Sequence, residues 1–114
     1  MVVDPTDVAA EQVGTENPRS VVKRNLLTRR DDAPNFAMRL FEVAPESATP
    51  HHQHPWEHEV FIVSGSGQLL TSEGPKSFTE GQAVFVPPNA MHQFQNTGSV
   101  PLQFLCMIPN SGDS

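Results

Sequence analysis

Apolar and polar residues alternate in short runs along most of this chain, and prolines, glycines and small polar clusters separate the runs. Side chains at i and i+2 share a face of an extended strand, so this period of two predicts β structure. Candidate strands are SVVKRNLLT (20–28), NFAMRLFEV (35–43), HHQH (51–54), EHEVFIV (57–63), QLLTS (68–72), KSFTE (76–80), QAVFVPP (82–88), AMHQFQN (90–96) and VPLQFLCMIP (100–109). The second of these is apolar on both faces, as a strand inside a sandwich can be. RRDDAP, APESATP, SGSG, EGP and a Pro-Asn pair supply the turns. No window keeps an apolar period of 3.6 residues. Short strands at this spacing predict an all-β sandwich or barrel in a single domain, residues 19–114. Residues 1–18 are polar and read as a mobile arm or an edge-strand extension.

Composition sharpens this picture. The chain has 114 residues, enough for one domain. Its 11 prolines are about twice the usual ~5% share, which favours many turns over long helices. The net charge of −6 argues against nucleic acid as a partner. Five of the seven basic residues are Arg19, Lys23, Arg24, Arg29 and Arg30, a cluster that reads as a solvated strand and turn. No apolar run reaches the ~18 residues of a membrane span. The N-terminus lacks the basic-then-apolar pattern of a signal peptide. A single cysteine cannot form an internal disulfide, so the cytoplasm is the expected compartment.

The histidines carry the chemistry. His52, His54 and His58 share even parity, with the Pro55-Trp56 bend between the last two, and His92 lies in a separate strand-like run. Four neutral imidazoles converging from two nearby segments suit a divalent first-row metal. His51 falls out of this parity and is the expected non-ligand. Glu57 and Glu59 have odd parity and should face away, with Glu57 kept as a reserve ligand. Each imidazole must be neutral to bind, and its reference pKa is about 6.5. Metal binding is therefore expected to weaken below about pH 6.

From His52 the sequence fits H-x-H-x3-(E/H)-x6-G, ending at Gly65. GQAVFVPPNAMHQFQN fits G-x5-P-x-G-x2-H-x3-N, with Gly81, Pro87, His92 and Asn96 in their slots. These are the two motifs of the cupin superfamily, and the chain resembles its small, single-domain, four-histidine, manganese-binding members from thermophilic bacteria. DAPNFAMRLFEV, HPWEHEVF and QFLCMIP extend the likeness over residues 20 to 110. The chain departs from the pattern at Glu46 and Asn89, where the motifs have glycine. Asn89 tolerates a left-handed backbone, whereas Glu46 is tolerated only if its turn needs no positive φ. Many cupins have glutamate where this chain has His58.

The resemblance implies a jelly-roll barrel of two antiparallel sheets, with one divalent metal per chain on His52, His54, His58 and His92. It puts Mn first and Fe second. Imidazole also accepts Ni, Cu or Zn. Four nitrogens on a six-ligand metal leave two open positions, as Lewis-acid or O2 chemistry requires. The metal charge, unneutralised by any carboxylate, favours anionic or enolate-forming substrates.

Phe94, sharing parity with His92, and Phe104, sharing parity with Cys106, are candidate pocket walls. In the resembling proteins a cysteine at the place of Cys106 lies near the site; the alternative is a small buried hydrophobe. Arg39 either binds an anionic substrate group or lies on an exposed strand face. The function expected is a Mn- or Fe-dependent, dioxygenase-like oxygenase acting on a small organic substrate. The alternatives are a non-catalytic, metal-stabilised ligand-binding or sensor barrel, and an O2-independent isomerase or lyase. A homodimer is expected, with residues 20–28 in its interface.

Overall fold

The computed structural model describes residues 1–14 and 20–112. Nine strands form: β1 Glu11–Gln12, β2 Val21–Leu27, β3 Phe36–Val43, β4 His58–Ser64, β5 Ser66–Thr71, β6 Gly74–Thr79, β7 Ala83–Val86, β8 Gln93–Gln95 and β9 Leu102–Pro109. They make two antiparallel sheets, ordered β1-β2-β3-β9-β4-β7 and β6-β5-β8. The two sheets face each other as a jelly-roll barrel.

Alternation decides which side chains enter the barrel. On β9, Leu102, Phe104, Cys106 and Ile108 are buried, and on β4 His58, Val60 and Ile62 are buried. Val21, Ala37, Phe41, Val43 and Val86 join them, and Leu69, Phe78 and Phe94 face them from the smaller sheet. An aromatic column crosses the interior. Phe41 stacks on Phe104 at 5.1 Å, Phe104 on Phe94 at 4.6 Å, and Phe94 meets Phe78 at 6.0 Å between ring centroids. The two sheets are thus joined through ring contacts, which contribute beyond the area they bury.

Several expectations change in detail. HHQH is not a strand; only His52 pairs, in an isolated bridge to His92. RRDDAP closes as one 3-10 turn, Arg29–Asp31, capped by Thr28 and Asp31 and ended by Asp32 at φ 63°. Arg29 and Arg30 on it are exposed. Arg19 and Pro18 lie outside the described residues.

β2 has a strand partner on each side, on one of them over two residues only. It pairs with β3 along its length and with β1 at Lys23 and Val22. β1 is two residues long, so the rest of the outer edge of β2 has no strand partner among the described residues.

Glu46 occupies φ 64° and Asn89 φ 65°. The turn at Glu46 does require the left-handed region, contrary to the expectation, and a non-glycine residue there carries ~1–2 kcal/mol of strain. Glycine is needed outright at Gly65. It has φ +87°, and a Cβ there would stand 2.8 Å from the Pro101 carbonyl. That glycine lets the chain turn from β4 into β5 against the start of β9.

Candidate metal centre

Two backbone hydrogen bonds fix the first imidazole pair. His52 N donates to His92 O at 3.2 Å, and His92 N donates to His52 O at 2.9 Å. This bridge, rather than a continuous strand, holds the loop before β4 against the start of β8. His54 is tied in separately, because its carbonyl accepts from Asn89 N at 2.6 Å. The left-handed Asn89 turn thus presents an N–H to the ligand loop. His58 opens β4 and points inward with Val60 and Ile62.

Ligand atoms of His52, His54 and His92 all lie within 4.8 Å of one another. His58 packs against two of them, with ring centroids 4.8 Å from His92 and 5.3 Å from His54. Its Nδ1 is 3.5 Å from Cys106 Sγ, and its Nε2 is buried with no hydrogen-bond partner. A buried polar nitrogen left unpaired is costly, and a bound metal ion would give this one a partner. Nδ1 of His92 is 2.9 Å from Ala90 O. Donation to that carbonyl fixes the tautomer that frees Nε2 for coordination. The donor set and these two free nitrogens fit a divalent transition metal. Glu57 and Glu59 are not part of the cluster among the described residues, and Glu59 is exposed. His51 is exposed and outside it too.

Electrostatics favours the neutral ring throughout. Burial, then the neighbouring His54 and His92, holds His52 down to about 4. Burial, then His92 and Arg39, holds His58 down to about 3. His54 and His92 are lowered as well, burial first in each case. At neutral pH all four present uncharged nitrogen, which is the form that binds metal.

A cavity of about 270 Å³ opens beside the cluster. It is smaller than the ~300–1,000 Å³ usual for drug-sized ligands. Phe94 and Phe104 line it, with Phe41 beside them. Trp56, the only tryptophan, also lines it and stacks on His54 at 4.4 Å, nearly parallel.

Arg39 faces this cavity rather than an outer strand face. It lies opposite Cys106 in register, and its Nη2 donates to Cys106 Sγ at 3.2 Å. Burial pushes the Cys106 thiol up in spite of Arg39, so the cysteine stays protonated and behaves as a small buried side chain. Lys23, read from sequence as part of a solvated basic cluster, also lines the cavity. Its parity with the buried Val21 and its register with Phe41 were the signals that place it inside. Asn96, the last residue of the second motif, is structural. Its amide donates to Val43 O and Val100 O, each at 2.9 Å, and its Oδ1 accepts from Gly98 N.

The family model of the cupin domain matches residues 39–108. Among solved structures, the chain is similar to the polyketide cyclase RemF from Streptomyces resistomycificus. The TM-score is 0.87 and the identity 32%, covering 96% of this chain and 79% of that one. Among curated proteins, SchB of Streptomyces halstedii is 30% identical over 95 residues, 82% of this chain and 69% of that protein. The mannose-1-phosphate guanylyltransferase RfbM of Salmonella typhimurium is 29% identical over 77 residues, 66% of this chain. The match spans only 16% of RfbM's length.

Proposed function

The chain belongs to the cupin domain family, and from that premise we propose that it is a divalent-metal enzyme, a Mn- or Fe-dependent oxygenase of a small organic substrate. His52, His54, His58 and His92 are the proposed ligands. The observation that carries the reading is the buried, unpartnered Nε2 of His58 beside a three-histidine cluster at a cavity. A metal bound there supplies Lewis acidity and, if Mn or Fe, one-electron chemistry. The chain's own residues do the rest. Phe94 and Phe104 keep bulk water from the inner wall. Trp56 stacks on His54 and restrains its ring. The Ala90 carbonyl holds the His92 tautomer. The cavity's size restricts the substrate to a small molecule.

Protein purified from its native host should carry Mn or Fe near one per chain and consume dioxygen with substrates that fit the cavity. Stoichiometric Zn, with no turnover of any panel, would move the assignment to a metal-stabilised binding or sensor barrel. A second reading, rearrangement without O2, is supported by the 32% identity to a polyketide cyclase. Turnover that persists under strict anaerobiosis selects it.

We further propose a homodimer formed through the outer face of the six-stranded sheet. Leu40, Leu105, Phe61 and Ala83 lie in one cross-strand row of that face. Met38, Met107, Glu59 and Phe85 lie in the next. Phe61 is 46% exposed and Phe85 57% exposed. A mostly apolar sheet face of this kind, interrupted by Glu59, supports an interaction site, and two-fold pairing is the commonest way to cover it. Sedimentation should give a dimer at micromolar concentration, and Phe61→Glu should give a monomer that keeps its metal. A dimer that survives Phe61→Glu would remove this face from the interface, and a monomeric wild type would remove the assembly. Among the described residues no helix is long and apolar enough to cross a membrane. A single buried, unpaired cysteine supports assignment to the reducing cytoplasm.

A further inference from the structure

Apart from the four imidazoles, which face the proposed metal, the nitrogen and hydroxyl groups lining the cavity are donors. Lys23 and Arg39 bring positive charge, and Trp56 brings an indole N–H that is buried without a partner. Thr49 Oγ1 already accepts from Phe94 N, which leaves its hydroxyl proton to give. Arg39 Nε is buried and unpartnered, and Nη2 reaches only a thiol, a weak acceptor. The chain has 13 acidic residues, yet among the described residues none lines this cavity. Glu11, across from Lys23 on β1, is exposed, and its Oε2 accepts from Asn25 Nδ2 at 3.2 Å. A protein of net charge −6 thus keeps two cations at the wall of the cavity beside its histidine cluster with no carboxylate in the lining.

Lys23 and Arg39 are half-buried, and a cation drawn partly out of water without a counter-charge loses solvation that nothing repays. Donors without acceptors have the same deficit. Both are satisfied at once by a ligand that carries negative charge on oxygen. Arg39 suits this task, since its planar fork can meet two oxygens together. The guanidinium also lies over the Phe41 ring, 5.0 Å from the centroid, which restrains its orientation without neutralising it.

We propose that Arg39, assisted by Lys23, is an anion-recognition site that holds the carboxylate or enolate oxygens of a small substrate. The apolar body of that substrate lies against Phe94 and Phe104. Arg39 is then a specificity-determining residue and not a metal ligand. The inference rests on the metal-enzyme reading for what becomes of the substrate, but not for how its charge is held.

The test is calorimetric titration of zinc-loaded protein with benzoate and with benzamide, its neutral isostere, while metal content is measured on the same samples. Wild type should prefer benzoate by roughly tenfold or more, the scale of one charge-assisted hydrogen bond. Arg39→Gln should lose most of that preference at unchanged metal content, Lys23→Gln should lose part of it, and Arg39→Lys should retain much of it. If Arg39→Gln keeps the full preference, the anion is held by the metal and the proposal fails. If wild type shows no preference, or binds neither probe at millimolar concentration, Arg39 is a structural cation held by Phe41 and Cys106, and the proposal also fails. Loss of zinc from wild type would instead overturn the four-histidine reading, an outcome read from the metal analysis alone.

Discussion

His58→Ala is expected to lower metal affinity by about a hundredfold or more, since even outer hydrogen-bond partners of ligands cost ~10–100-fold. His52→Ala, His54→Ala and His92→Ala should do the same. His51→Ala should leave affinity unchanged, because that residue is exposed and outside the cluster. His58 is the informative member of the set. It stands behind the three histidines whose ligand atoms already lie close together, and its claim rests on a buried, unpartnered Nε2. Removing it also removes that unpaired nitrogen, so the metal-free fold should not suffer in proportion. Metal retention equal to wild type in a folded His58→Ala protein would reduce the site to His52, His54 and His92.

Acid should separate the stability of the metal-free barrel from its metal affinity. In the unfolded chain each histidine titrates near 6.5. In the fold His52 is held to about 4 and His58 to about 3, with His54 and His92 lowered too. Between those values the unfolded chain binds more protons than the folded one, so stability falls as pH falls. The loss should begin near pH 6.5, deepen until the pH passes about 4 and then about 3, and be absent above neutrality. Denaturation midpoints of chelator-treated protein from pH 8 to pH 4 measure it, and midpoints that do not move would contradict it.

Metal affinity of the folded protein should hold to lower pH than free imidazole allows. At pH 5 His52 and His58 still present neutral rings, and His54 and His92 are lowered too, so the weakening expected below pH 6 sets in at lower pH. An affinity that has already collapsed at pH 6 would show that the rings titrate as if exposed.

Much of this site was legible in the sequence, although one local reason was wrong. His52 and His54 face the same way, yet not because HHQH is a strand; the His52–His92 bridge does the aligning. Parity gave the right grouping because any extended segment alternates. The alternation in EHEVFIV and VPLQFLCMIP placed His58, Phe104 and Cys106 correctly, since both strands have one face toward the barrel interior.

What stayed hidden depended on tertiary context. Lys23 reads with a solvated basic cluster, its parity with Val21 being too weak a signal alone, and for Arg39 the cavity is one of two alternatives between which only the packed barrel decides. The positive φ at Glu46 is set by the turn's geometry, and the side chain gives no warning of it. The pairing of β1 with β2 agrees with the edge-strand alternative read for residues 1–18, but a two-residue strand leaves no periodicity from which to place it.

The aromatic column has a consequence for how this scaffold can change over evolutionary time. Phe104 is at once the wall of the cavity and the centre of a stack that joins the two sheets. Truncating a buried phenylalanine costs ~3–5 kcal/mol, a large part of the ~5–15 kcal/mol that holds a domain folded. A lineage seeking a larger substrate cannot readily carve the cavity from that side. New specificities are affordable at positions that border the cavity without bridging the sheets, such as Lys23, Arg39 and Trp56, where a change of charge or shape leaves the stack intact. The inner wall is inherited and the rim is negotiable, so descendants of this chain should differ in which molecule they accept long before they differ in how they fold.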